Sequence, residues 1–155
     1  MSLDIKTPVV LNTTATGEFG AISIKAMHDS RLEKYTTVSI GIENPMAAVT
    51  PTGIRRIRLG SIRSDALRKQ LMEANPDLLD APAIKSYFAG TNGRAAAKKT
   101  HLNPSAEQLE VAATIFKLAR LVGDYPIKAV QRCFGLEHAV ARFWVNRARS
   151  QGVLV

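Results

Sequence analysis

Cysteine is nearly missing from this chain: Cys133 is the only one in 155 residues, so no internal disulfide can form and a reducing cytoplasm is the expected compartment. No stretch approaches the ~20 consecutive apolar residues of a membrane helix. The opening MSLDIKTPVV lacks the basic-then-apolar run of a secretory signal, so neither secretion nor insertion into a membrane is expected. Acidic charge is short, with 13 Asp and Glu against 21 Lys and Arg, a net charge of +8 and a pI near 10. That balance favours a polyanionic partner, nucleic acid first and an anionic membrane surface second. Clustered metal ligands are lacking too. His28, His101, His138 and Cys133 are scattered, and no Cys-x-x-Cys or His-x-x-x-His pair exists, so neither a structural zinc nor any other cofactor is expected. The segment GRAAAKKT, from Gly93, puts Lys98 where a phosphate loop must turn on glycine. There is no serine elbow. Cys133 beside Arg132 fits a reactive thiol less well than a half-buried core one. The chain does not read as an enzyme.

What is present is an ordinary globular composition, 46% apolar and 22% charged, in a chain long enough to bury a core without staples. The charge is unevenly placed. Residues 1–80 hold 10 basic and 9 acidic side chains, whereas residues 81–155 hold 11 and 4, which puts the expected binding end at the C-terminus.

The first fifty residues read as a small antiparallel meander. Val38, Ile40 and Ile42 alternate with Ser39 and Gly41, Phe19 to Met27 is a second apolar-rich run, and Thr7 to Thr13 is a weaker third. Three short strands leave a face to be covered by helices or by the same sheet of a second chain. Thr50 and Pro51 predict a helix start carrying Ile54, Ile57 and Leu59. Gly60 reads as an interruption, and Ser61 to Ala74 as a second helix with Ile62, Ala66, Leu67 and Leu71 on one stripe. Arg55, Arg56, Arg58, Arg63, Arg68 and Lys69 make a basic cluster on these helices, read either as phosphate contacts or as a solvated face. Residues 81–104 read as a basic linker. Lys98 and Lys99 within it are candidate phosphate contacts, against a plain solvated tether as the alternative.

Beyond the linker, Ser105 and Gln108 predict a capping box, and the following helix carries two apolar stripes and ends at Gly123. Pro126 opens a second helix to Phe134, Gly135 breaks it, and a last helix runs from Glu137 to Ser150. Helix, short glycine-containing turn and helix form the helix-turn-helix layout. With Ala141, Trp144, Val145 and Ala148 as the buried stripe, His138, Arg142, Asn146 and Arg149 fall on the outer face. Arg reads guanine edges and Asn adenine edges, so this face has the chemistry of a major-groove recognition helix.

The segment PIKAVQRCFGLEHAVARFWVNRARSQGVL resembles the C-terminal helix-turn-helix of many small DNA-binding proteins of actinobacteria and their phages. The resemblance rests on Ala141, Arg142, Trp144 and Val145, then Arg147, Ala148 and Arg149, then Gly152 and Leu154; GIRRIRLGSI resembles a looser upstream element. Glu137-His138 stands where such motifs begin the recognition helix with a Ser-containing pair. The expectation is an α+β protein. Residues 1–80 form a self-association or partner-binding module, a small antiparallel sheet with two helices, and residues 105–155 form a tri-helical helix-turn-helix. It is expected to bind double-stranded DNA as a homodimer and to act as a transcriptional regulator or phage repressor. A helical bundle with a basic face also serves as a protein-binding module, so a phage-encoded modulator of a host protein is the second reading.

Overall fold

The computed structural model describes residues 5–17, 20–45, 48–90 and 103–154. Its architecture is α+β, a three-stranded antiparallel sheet followed by helices. The strands β1 (Val10–Gly17), β2 (Gly20–Asp29) and β3 (Lys34–Glu43) lie in the order β1-β2-β3. β2 alternates cleanly, burying Ile22, Ile24 and Ala26 and exposing Ser23, Lys25 and Met27, as a strand with one covered face must. β3 does not. Lys25 pairs with Ser39 but Ala26 pairs with Thr37, so Val38 is the extra residue of a β-bulge and is 55% exposed. Across the bulge the residues on the covered side change from Tyr35 and Thr37 to Ile40 and Ile42, of which Ile42 is packed and Ile40 stays 41% exposed, and the continuous Val38-Ile40-Ile42 face expected from the sequence is broken.

After the sheet come α1 (Pro51–Arg56) and α2 (Leu59–Ala74). Thr50 caps α1, its hydroxyl accepting from the Gly53 amide at 3.1 Å, as expected. The break between these helices falls at Ile57 and Arg58 rather than at Gly60. Gly60 is the second residue of α2, where its extra backbone freedom weakens the helix less than it would in the interior. Ile57 with Leu59 and Ile62 covers Ile22 and Ile24, while Leu67 and Leu71 of α2 belong with Leu11 and Ala26 to the main core.

The stretch expected to be linker begins with structure. A 3-10 turn at Pro76–Asp80 leads into α3 (Pro82–Phe88), which buries Ile84, Tyr87 and Phe88. Gly90 closes the described part of this region. α4 (Ala106–Val122), α5 (Pro126–Phe134) and α6 (His138–Ser150) complete the fold. The capping box at Ser105 and Gln108 forms in both directions, and Gly123, at φ 87°, ends α4 in the left-handed conformation that glycine alone takes without strain. α4 is buried almost all round, from Leu109 to Val122, with α3, α5, α6 and β3 packed about it; its two stripes therefore each have neighbours. One apolar core runs from Leu11 and Tyr35 of the sheet through α2, α3 and α4 to Trp144 and Leu154.

Two polar knots fasten the sheet to the helices. Buried Asn75 accepts from the Lys6 amide at 2.7 Å and donates to the carbonyls of Lys6 and Leu71, which ties the segment before β1 to the end of α2. Arg63 of α2 donates to Thr37 Oγ1 at 2.8 Å, to the Tyr35 carbonyl and to the Val122 carbonyl at 2.9 Å. One guanidinium thus joins β3, α2 and the end of α4.

Candidate nucleic-acid interface

α5 and α6 are joined by three residues, Gly135, Leu136 and Glu137. Gly135 sits at φ 64°, and the Leu136 amide donates to the Gln131 carbonyl at 2.9 Å, satisfying an end group that a straight continuation would have left open. Leu136 is buried in the turn. Glu137 stands at the N-cap of α6 and makes no side-chain cap bond, the local consequence of lacking a Ser there. Trp144 is the anchor: it is 1% exposed and meets Phe134 of α5 edge-on at 5.1 Å between centroids. Ala141, Val145 and Ala148 flank it in the core, and Val140 joins them.

With that stripe buried, His138, Arg142, Asn146 and Arg149 are all exposed, so the row predicted from helical spacing stands on one outer face of α6. The four are not equivalent. His138, Arg142 and Asn146 occupy the first three turns. Arg149 lies in the last turn with its guanidinium 5.2 Å over the Phe116 ring of α4, where it also complements the negative end of the helix dipole. Arg147 reaches Asn103 at 3.4 Å, in front of α4. Phe143, 43% exposed beside Arg142, is the member of this face that spacing alone assigned to nothing; its signal was a second aromatic adjoining Trp144 that cannot share the same core direction. Lys98 and Lys99 lie outside the described residues.

The basic cluster of α1 and α2 divides. Arg55, Arg56, Arg58 and Lys69 are exposed, whereas Arg63 and Arg68 turn inward. Arg68 pairs with Asp65 and, at 3.5 Å, with Asp124, and lies 5.8 Å over the Tyr87 ring. Burial lowers the Arg63 pKa from its ordinary value while nearby Asp124 raises it. Cys133 is half-buried and burial pushes its thiol up to about 12, against the smaller opposing pull of Arg132 and Arg68; it is held as a thiol. Among the described residues no group of three His, Cys, Asp or Glu could hold a metal ion, and no helix is long and apolar enough to cross a membrane. In comparison with known proteins, the chain matches no family model, no curated protein and no solved structure.

Proposed function

We propose that the protein binds double-stranded DNA sequence-specifically, as a transcriptional regulator or phage repressor of a reducing cytoplasm, and reads the major groove with α6. The observation that carries this reading is the exposed row His138, Arg142 and Asn146 on the first three turns of a helix whose opposite side is locked by Trp144. The N-terminal part of a recognition helix is the part that meets base edges, and a bidentate Arg or Asn contact discriminates by ~1–3 kcal/mol. Arg149, held against Phe116, suits a backbone phosphate better than a base.

Arg142→Ala tests the assignment. The exposed side chain leaves folding intact, and in a competition gel-shift against a selected duplex the variant loses ~1–3 kcal/mol of specific binding while its non-specific affinity changes little. Unchanged preference for the selected duplex contradicts the reading. A second reading, docking on a protein through the same face, draws on exposed Phe143, since aromatic and Arg side chains together make hot spots. It predicts the reverse pattern, in which Phe143→Ala abolishes partner capture and no duplex is preferred.

A further inference from the structure

A cleft of about 480 Å³ opens between α2, α3 and the start of α5, away from the exposed row of α6. Its lining gathers Arg63, Arg68, Lys128 and Arg132 around a single carboxylate, Asp124. That carboxylate is already engaged by Arg68 and by the Tyr87 hydroxyl, which donates to it at 3.0 Å. Four cations against two occupied anions, Asp124 in the lining and Asp65 paired with Arg68, leave a positive excess in a concave, partly desolvated space, where it is screened less than on an open surface. Arg63 and Arg68 form a fixed wall, each tied to partners within the protein. The buried Nε of Arg68 has no hydrogen-bond acceptor, so this guanidinium is under-satisfied as it stands. Lys128 and Arg132, exposed and one helical turn apart on α5, form the facing jaw. Tyr125, at the rim, is 77% exposed with the Lys128 ammonium 5.0 Å over its ring, which presents a flat aromatic surface beside the charges.

We propose that this cleft binds a phosphate-bearing small molecule of nucleotide size, the phosphate held among Arg68, Lys128 and Arg132 and the remainder lying toward Tyr125. Guanidinium forks match phosphate oxygens bidentately, and the volume falls in the range of ~300–1,000 Å³ usual for such ligands. A duplex read by α6 is the less suitable source of that phosphate. Phe134 packs against Trp144 of α6, and Arg132, two residues earlier, points about 200° away round α5. The occupant would bridge α2 and α3 to the helix that precedes α6, but its binding does not depend on the DNA reading.

Isothermal titration of the full chain with inorganic pyrophosphate, with AMP and with adenosine tests the proposal, beside a random-sequence duplex as the other phosphate source. Pyrophosphate and AMP are expected to bind saturably at one site and adenosine not at all. Lys128→Ala with Arg132→Ala should weaken both by about tenfold per lost contact, and Arg142→Ala on α6 should leave them unchanged. Circular dichroism checks the double variant; should it lose helix, Arg132→Gln alone is expected to give the single tenfold loss. Absence of saturable pyrophosphate and AMP binding, equal weakening by Arg142→Ala, or a double variant that affects only duplex affinity overturns the proposal. Because these titrations contain no duplex in the pyrophosphate and AMP arms, a failure of DNA recognition is read separately.

Discussion

Arg63 shows how much one side chain can do when its direction is set by tertiary structure. As one of six cations on two short helices it looks like surface charge, yet it bonds Thr37, Tyr35 and Val122 and closes the junction of sheet and helices. Arg63→Met keeps the apolar stem and removes every donor, leaving two carbonyls poorly satisfied; we expect ~1–3 kcal/mol lost in urea denaturation. The exposed neighbour Arg56→Met should change stability by less than ~0.5 kcal/mol. Equal, small effects at both sites would refute the inward role. A second expectation follows from acids that burial keeps protonated, Tyr35 and Cys133 among them, with buried Tyr87 raised in the same direction. Tyr35, whose hydroxyl donates to the Pro8 carbonyl, and Cys133 are each pushed up to about 12, from 10.0 and 9.0. Once unfolded, both ionise at their ordinary values, so above pH 9 the unfolded chain holds fewer protons than the native one. Stability from these groups is therefore intact below pH 9 and declines as pH rises toward 12. Denaturation midpoints measured from pH 8 to 11 should fall, and Cys133→Ser should make the fall shallower; a flat profile would contradict it.

At the scale of elements, the sequence was legible wherever a local device is sufficient. The Thr50 cap, the Ser105–Gln108 box, the glycine ends at Gly123 and Gly135 and the outer row of α6 each depend on residues within a turn of one another. What escaped depends on distant partners or on weak local signals. α3 was hidden because its seven residues are fewer than a hydrophobic period needs to stand out, although Pro82 followed by Ile84, Tyr87 and Phe88 at steps of three and one does put one apolar face on a helix. The bulge at Val38 is invisible because alternation in β3 continues across it in the sequence while the pairing with β2 slips by one. The cleft lining was hidden for the same reason as Arg63: nothing local in the sequence relates Lys128 and Arg132 to α2, which only the fold brings beside them. The strand edges differ in a testable way. Arg63 occupies the Tyr35 carbonyl on β3, whereas β1 carries no charged residue between Val10 and Gly17 and, among the described strands, pairs only with β2, the pattern of an edge open to a second copy. We propose homodimerisation through this edge. Thr14→Lys places a charge on it from the exposed face, and light scattering at micromolar concentration should show the parent as a dimer and the variant as a monomer; a monomeric parent contradicts the proposal.

For the whole molecule, one continuous core makes the sheet and the C-terminal helices a shared structure, with α4 as the element both sides pack on. The position of α6 is thereby fixed by contacts that reach back to β3 and α2. A dimer through β1 would then carry two copies of α6 at a set separation, as proteins reading two half-sites require. The net charge of +8 supplies non-specific attraction to any duplex, so affinity alone says little about sequence reading. The most direct measurement is therefore selection from a randomised duplex pool at physiological salt, run in parallel with the parent chain and with Arg142→Ala plus Asn146→Ala. The account predicts that the parent enriches one defined motif, with guanine and adenine at the positions these side chains reach, and that the double variant retains general duplex binding while losing preference at those positions. Enrichment of no motif by the parent, or of the same motif by both proteins, would contradict it.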